Sequence, residues 1–132
     1  MSDFTAVWPS VKYDDARAAL GFLAAAFGFE VTAVHPEEGT GPVRHAEVRW
    51  PLGGGVMLGT AGVGEGEHAT QPPAGKQAIY VVTDDPDKLY ARAVEAGATI
   101  AREMRDEDYG SRGFTARDPE GNLWSFGTYQ GA

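Results

Sequence analysis

The alternation of hydrophobic and polar positions is clearest in the last strand that the sequence predicts, at residues 123–128. Trp124 and Phe126 fall on one face of this strand, whereas Ser125 and Gly127 fall on the other, as the two-residue period of a β-strand requires. We expect the bulky face to pack against a helix. The small residues of the opposite face leave space, which indicates either a cavity or a wet surface.

The same kind of pattern predicts the order βαβββ twice along the chain. Each predicted helix follows a pair of aspartates that can cap it, and a glycine that can end it comes after it. These signals are Asp14, Asp15 and Gly28 in the first half, and Asp84, Asp85 and Gly97 in the second. They repeat at a displacement of about 70 residues, which is typical of a duplicated unit.

We therefore predict an α+β fold in a single domain over residues 1–132. Module one occupies about residues 4–59, a crossover loop about 60–75 and module two about 76–130, by the positions of the turn-forming segments. A second irregular segment, the acidic loop at residues 104–112, is predicted between two strands of module two. Long loops in compact domains often cover binding sites.

Composition argues against several classes of function. The formal net charge of −8 is unfavourable for binding nucleic acid or an anionic membrane surface. The chain has no cysteine, which removes disulfides, thiolate metal ligands and cysteine nucleophiles. It shows neither a signal-peptide pattern nor an apolar run long enough to span a membrane, so we expect a cytoplasmic protein.

Four short segments resemble the glyoxalase/bleomycin-resistance/dioxygenase group, also called the vicinal oxygen chelate superfamily. They are Asp14-Asp15, Ala26-Phe27-Gly28-Phe29, Tyr80-Val81-Val82-Thr83-Asp84-Asp85 and Asp118-Pro119-Glu120-Gly121-Asn122. The resemblance implies paired βαβββ modules that form a curved, half-barrel-like sheet around a cavity. It also implies a homodimer.

Enzymes of this family typically hold a divalent metal through His, Glu or Gln side chains on four strands. By the resemblance, the four positions fall at Trp8, Leu58 or Gly59, Ala78, and Ser125. An indole, an alkyl side chain and a hydroxyl cannot supply the imidazole and carboxylate ligands that such a metal needs. A shift of one residue adds Gln77 but no full set, so we expect neither a metal nor a cofactor.

The metal-free relatives that the sequence resembles bind small molecules, and they include bleomycin-type resistance proteins. The resemblance makes these residues candidates for ligand binding: Trp8, Leu58, Ala78, Tyr80, Tyr109, Arg112, Phe114 and Ser125. Aromatic rings can stack on a planar ligand, and a guanidinium can anchor an anionic group. Alternatively, the rings only fill the core, and Arg112 pairs with Asp106 or Asp108.

His45 and Glu47 are the candidates for catalysis. They lie two residues apart on a predicted strand and therefore share a face, where they could act as a base and its orienting partner. The alternative is a solvated strand face beside Arg49. His68, in the crossover loop, has no helical partner with which to form a metalloprotease motif.

We therefore expect metal-independent binding of a small apolar or aromatic molecule, with antibiotic sequestration as a possible role. The alternative is a glyoxalase-like lyase, isomerase or dioxygenase whose site departs from the usual one of the family. A third class is an interaction domain whose barrel is filled by side chains. The expected partners are a small-molecule ligand and a second copy of the chain.

Overall fold

The computed structural model describes residues 5–63 and 73–132, so His68 lies outside the described residues. Module one contains β1 (Ser10–Tyr13), α1 (Ala16–Phe22) with a π-helical continuation (Leu23–Phe27), β2 (Glu30–His35), β3 (His45–Arg49) and β4 (Gly55–Thr60). Module two contains β5 (Ala78–Val82), α2 (Pro86–Glu95), β6 (Thr99–Asp106), β7 (Arg112–Arg117) and β8 (Leu123–Gly127). The predicted order βαβββ is confirmed in both modules.

Each module forms its own four-stranded sheet, and the two sheets have equivalent topology. The strand orders are β1-β4-β3-β2 and β5-β8-β7-β6. In both sheets the first strand pairs in parallel with the last, and the other pairs are antiparallel. This equivalence confirms the α+β fold of paired modules, although the two sheets are not closed into a barrel.

The helices begin and end at the predicted signals. The side chain of Asp15 accepts a hydrogen bond from the backbone N–H of Ala18 at 3.1 Å, and Asp85 accepts one from Lys88 at 3.1 Å. The π-helical continuation of α1 ends at Gly28, whose φ of 89° is the left-handed conformation that glycine adopts without a steric cost.

The apolar faces of both sheets and the two helices share one hydrophobic core. Phe27, at the end of the π-helical segment, contacts Trp124 and Phe126 of β8 with ring centroids 5.8 and 4.7 Å away. Trp50, after β3, donates a hydrogen bond from Nε1 to the carbonyl oxygen of Val82 at 2.8 Å. The opposite face of each sheet is turned away from this core, and we call these the module-one and module-two open faces.

Two predicted boundaries differ from the structure. The first strand, which the alternation predicts over residues 5–12, begins at Ser10, because Pro9 has no N–H and only its carbonyl joins the ladder, accepting from Met57 at 2.9 Å. Strand β6 continues to Asp106, since Arg105 and Asp106 pair with Gly113 and Arg112. The irregular segment before β7 is therefore residues 107–111 rather than 104–112.

Within the part of the chain that the structure describes, no helix is long and apolar enough to cross a membrane.

Candidate functional site

Small residues from three neighbouring strands form the floor of a pocket on the module-two open face. They are Ala78 of β5, Ser125 and Gly127 of β8, and Gly113 of β7. Trp124 and Phe126 alternate with them along β8 and are buried in the core. A Cβ atom at Gly127 would lie 2.8 Å from Oη of Tyr80, so only glycine leaves room for that ring.

Two tyrosines and a pair of charged residues stand around this floor. Tyr80, Tyr109, Arg102 and Glu107 line a pocket of about 330 Å³ together with Ser111. We call it the module-two pocket.

Hydrogen bonds hold the aromatic side of the module-two pocket. The phenol of Tyr80 donates to the carbonyl oxygen of Tyr129 at 2.7 Å, and the rings of Tyr109 and Tyr129 meet edge to face at 5.5 Å. Partial burial raises the pKa of Tyr80 above its ordinary value, and therefore the phenol stays a neutral donor at physiological pH.

The polar side of the module-two pocket contains an ion network and a hydroxyl pair. Glu107 accepts hydrogen bonds from Nε and Nη2 of Arg105, the latter at 3.3 Å, and lies 3.5 Å from Nη1 of Arg102. The hydroxyl oxygens of Thr115 and Ser125 are 2.8 Å apart. A ligand here would meet guanidinium and hydroxyl donors on one side and tyrosine rings on the other.

Four of the eight predicted ligand-binding residues line this pocket together: Ala78, Tyr80, Tyr109 and Ser125. Sequence reasoning missed Arg102, Glu107 and Ser111. These residues were missed because an acidic loop was predicted from residue 104, whereas β6 continues beyond Arg102 to Asp106. Residues three apart on a strand normally lie on opposite faces. Arg102 and Arg105 nevertheless both pair with open-face residues of β7, because the ladder shifts register between them.

Leu58 and Phe114 are corrections to the predicted site, because both side chains are buried in the core. Leu58 is 2% exposed on the core face of β4, and the open-face alternative is Gly59. Phe114 is completely buried and packs against Tyr90 and Phe126 at centroid distances of 5.2 and 5.4 Å. Neither side chain can therefore contact a ligand on an open face.

Arg112 is also placed differently from the expectation of a ligand anchor. Its guanidinium donates to both carboxylate oxygens of Asp87 at 2.8 and 3.0 Å, and to Asp106 at 3.2 Å. These bonds hold the pKa of Asp87 below its ordinary value. The alternative that Arg112 pairs with Asp106 is confirmed, and Asp87 is a further partner at the start of α2.

Trp8 lies on the module-one open face rather than in the module-two pocket. The guanidinium of Arg49 sits 4.9 Å from the centre of its ring, and Trp8 covers Gly55 at the start of β4. The lining of the module-two pocket comes entirely from module two, so Trp8 is not part of it, and its role in ligand binding stays a prediction.

His45 and Glu47 also share the module-one open face, as predicted. Nε2 of His45 is 2.8 Å from Oε2 of Glu47, and the ring of His45 stacks against that of His35 at 6.3 Å. The side chains of His45 and Glu47 are 42% and 29% exposed. The pair has the geometry of a base and an orienting carboxylate, and it is accessible to solvent.

The metal site of the resembled enzymes does not fit the residues found here. Ala78 and Ser125 both line the module-two pocket, and Gly59 occupies the corresponding face of β4. None of the three provides an imidazole or a carboxylate. Across residues 5–63 and 73–132, no group of three or more His, Asp or Glu side chains is arranged to hold a metal ion.

A larger groove of about 610 Å³ runs along the junction of the two modules. Its lining includes Val7, Trp50, Leu52 and Ile79, with Tyr80 on the boundary to the module-two pocket. The groove is mostly apolar, and its indole N–H from Trp50 is already bonded to Val82. It can accept apolar surface, but it offers fewer polar groups to orient a ligand than the module-two pocket does.

Comparisons with known proteins agree with this fold and this topology. Residues 7–126 match the family model of the Glyoxalase/Bleomycin resistance protein/Dioxygenase superfamily. An uncharacterised protein of Mycobacterium bovis is 30% identical over 128 residues, which cover 92% of this chain and 82% of the relative.

Solved structures give the same result. TioX from Micromonospora sp. ML1 has a TM-score of 0.78 and 31% sequence identity, covering 94% of this chain and 98% of TioX. An integron cassette protein from V. cholerae is alike in fold, with a TM-score of 0.72 at 19% identity and 98% of both chains covered. The chain belongs to the Glyoxalase/Bleomycin resistance protein/Dioxygenase superfamily.

Proposed function

We propose that this protein binds a small aromatic or apolar molecule in the module-two pocket without a catalytic metal. The observation that carries the proposal is the floor of small residues beside Tyr80 and Tyr109 in a volume of about 330 Å³. Pockets of roughly 300–1,000 Å³ are typical of small-molecule sites. Aromatic contacts of suitable geometry add about 0.5–1.5 kcal/mol each beyond the burial of apolar area.

Sequestration of an antibiotic is the role that we propose for this binding. The family's description includes bleomycin resistance proteins, and by the resemblance the family's metal-ligand positions fall here at Trp8, Leu58 or Gly59, Ala78 and Ser125. Expression of the chain in a sensitive bacterium should then raise the inhibitory concentration of an aromatic antibiotic.

The proposal includes a homodimer. The module-two pocket is open on one side, and Tyr80 and Tyr109 are 48% and 63% exposed. A second copy that covers these rings would remove them from water and enclose the ligand. Sedimentation analysis should find a dimer, and a monomer at all concentrations would refute this part of the proposal.

Filling the pocket tests the binding proposal directly. Ala78 is exposed on the pocket floor, so Ala78→Phe should occupy the ligand's space while leaving the core intact. We expect affinity for aromatic ligands to fall by about tenfold or more, which corresponds to the loss of about 1.4 kcal/mol. Isothermal titration of a panel of aromatic ligands measures this loss.

The matched control is Ala101→Phe, which adds the same side chain at an exposed position of β6 outside the pocket lining. Its affinity should equal that of the natural chain. Equal losses in both variants, or an unchanged affinity in Ala78→Phe, would contradict binding in the module-two pocket.

A second candidate is an enzyme that uses the pair of His45 and Glu47 on the module-one open face. The 2.8 Å contact between their side chains favours this candidate, because an oriented imidazole can accept a proton. Its chemistry would be that of a glyoxalase-like lyase, isomerase or dioxygenase at a site unlike the usual one of the family.

His45→Ala distinguishes the two functions. For a protein that only binds its ligand in the module-two pocket, titration should give an unchanged affinity for this variant. An enzyme that uses His45 as its base should lose about 10²–10⁴-fold in rate. Such a loss, in an assay of family substrates, would favour the enzyme over the binding protein.

A further inference from the structure

The module-two open face carries positive charge although the chain as a whole is acidic. The sequence contains 19 acidic and 11 basic residues. Arg102, Arg105 and Arg117 nevertheless belong to this face, because they pair across the sheet with Thr115, Gly113 and Leu123. Glu107 is the carboxylate that lines the module-two pocket. A bound anion would therefore meet an attractive local field there, despite the net charge of −8.

Arg102 is the arginine of this group that lines the pocket. Glu107 accepts two hydrogen bonds from Arg105 but lies 3.5 Å from a single nitrogen of Arg102. The carboxylate is thus neutralised mainly by Arg105, and most donors of the Arg102 guanidinium remain available. The Arg102 side chain is 39% exposed, so a ligand can reach it.

A continuous row of side chains leads from Arg102 to the aromatic side of the pocket. Across the ladder, Arg102 pairs with Thr115, Thr115 with Ser125, and Ser125 with Tyr80. Three steps between neighbouring strands span about 14 Å from backbone to backbone. The ring of Tyr80 reaches over Gly127 on the neighbouring strand and shortens this span, and the remaining length suits a molecule of one or two fused rings.

The hydroxyl pair in the middle of this row can donate a hydrogen bond to an acceptor atom of the ligand. Thr115 and Ser125 lie 2.8 Å apart and share one hydrogen bond, so one O–H group of the pair is left to donate elsewhere. A carboxylate between Arg102 and these hydroxyls can accept from both sides. A planar guanidinium matches the two oxygens of a carboxylate in a way that an ammonium does not.

We propose that the pocket is selective for a small aromatic carboxylic acid, with Arg102 anchoring the carboxylate and the ring lying against Tyr80. This inference rests on the proposed binding function and adds the chemical class of the ligand to it. The aromatic side contributes affinity for either an acid or a neutral analogue, whereas Arg102 distinguishes the two.

The test compares 2-naphthoate with its neutral isostere 2-naphthamide by isothermal titration near neutral pH and low salt. The natural chain should bind the acid about tenfold or more tightly than the amide, since hydrogen bonds to a charged group are the stronger ones. In Arg102→Gln the two affinities should become equal, with that for the amide unchanged. Arg102→Lys should retain only part of the preference, because it keeps the charge and loses the planar fork.

Two further variants distinguish a specific contact with Arg102 from the general electrostatic attraction of the module-two open face. Arg117→Gln removes the same charge from the same face outside the pocket lining, and affinity for the acid should change by less than about threefold, because Arg117 is exposed and the high dielectric constant of water weakens its field. Glu107→Gln removes the carboxylate that competes for Arg102, so affinity for the acid should rise.

The possible results separate this inference from the function on which it rests. If the amide binds as tightly as the acid, and Arg102→Gln changes neither, the pocket binds aromatic molecules but Arg102 is not an anchor. Equal losses in Arg117→Gln and Arg102→Gln would likewise overturn the anchor. If neither compound binds the natural chain at millimolar concentration, the proposed function and this inference both fail.

Discussion

Asp118 is a buried carboxylate that connects the two modules. It is 5% exposed and accepts hydrogen bonds from the Tyr13 phenol at 2.6 Å and from Nε1 of Trp124 at 3.0 Å. The backbone N–H groups of Glu120 and Asn122 donate to its other oxygen at 3.0 and 3.1 Å. A buried charge costs little free energy only when it is bonded in this way. Asp118 therefore holds the end of β1 against the turn that precedes β8.

Tyr13→Phe tests that connection. The change removes one hydrogen bond to a buried charge, so the free energy of unfolding should fall by about 1.5–3 kcal/mol. Urea denaturation at neutral pH measures the loss. Tyr109→Phe, at a phenol that is 63% exposed, is the control and should cost less than about 0.5 kcal/mol. Equal losses in the free energy of unfolding for Tyr13→Phe and Tyr109→Phe would contradict the stabilising role of the bond to Asp118.

The same variant carries a prediction on pH. Burial, together with the nearby Asp118 carboxylate, raises the pKa of Tyr13 above its ordinary value of 10.0. Folding therefore favours the protonated phenol, and this contribution is complete below pH 10.0 and falls as the pH rises toward the folded-state pKa. Between pH 10.0 and the folded-state pKa, the natural chain should lose up to about 1.4 kcal/mol per pH unit more than Tyr13→Phe does. Parallel curves of stability against pH would contradict this.

At the scale of whole elements, Arg92 of α2 connects the helices of the two modules. Its guanidinium donates to the carbonyl oxygens of Ala24 and Ala25 at 3.0 Å each, near the end of the π-helical segment. These carbonyls lie at a helix C-terminus, where a positive charge is favourable.

Arg92→Met keeps most of the side-chain stem but removes both hydrogen bonds and the charge. We expect the free energy of unfolding to fall by about 0.5–1 kcal/mol. Lys88→Met, on the same helix and also exposed, is the control and should change stability little. Thermal unfolding of the two variants measures the difference. A stability of Arg92→Met equal to that of the control would show that the helices do not depend on this contact.

The sequence predicted those elements whose signals are local. Asp15 and Asp85 cap their helices because a short carboxylate side chain can bond the free N–H groups of the first turn. The alternation in β8 likewise identified Ser125 as an open-face residue. Strand β6 was predicted too short, because its last residues, Arg105 and Asp106, are charged and join the ladder only through their partners on β7.

At the scale of the whole molecule, the docking of the modules could not be predicted from the sequence. It depends on contacts between residues far apart in the chain, such as Phe27 with Phe126 and Trp50 with Val82. Phe114 illustrates the same limit within module two. Its ring is equally suitable for a ligand pocket or for a core, and only the packing of α2 on β7 decides that it lies in the core.

The same limit applies to Trp8, which the sequence grouped with Tyr80 as a candidate for ligand binding. A strand pattern gives the face on which a residue lies within its own sheet, but it does not say how two sheets are oriented. Trp8 does lie on an open face, where it packs against Arg49. That face belongs to module one, and the lining of the module-two pocket comes from module two alone.

The measurement that tests the central claim most directly is a titration of the isotope-labelled, EDTA-treated protein with 2-naphthoate, followed by amide chemical shifts in NMR spectra. Binding in the module-two pocket without a metal predicts that the largest changes cluster at Ala78, Ser111, Thr115 and Ser125, as the lining and its hydroxyl pair require. The claim would be contradicted if the largest changes lay around His45 and Glu47, or if binding appeared only after a divalent metal was added.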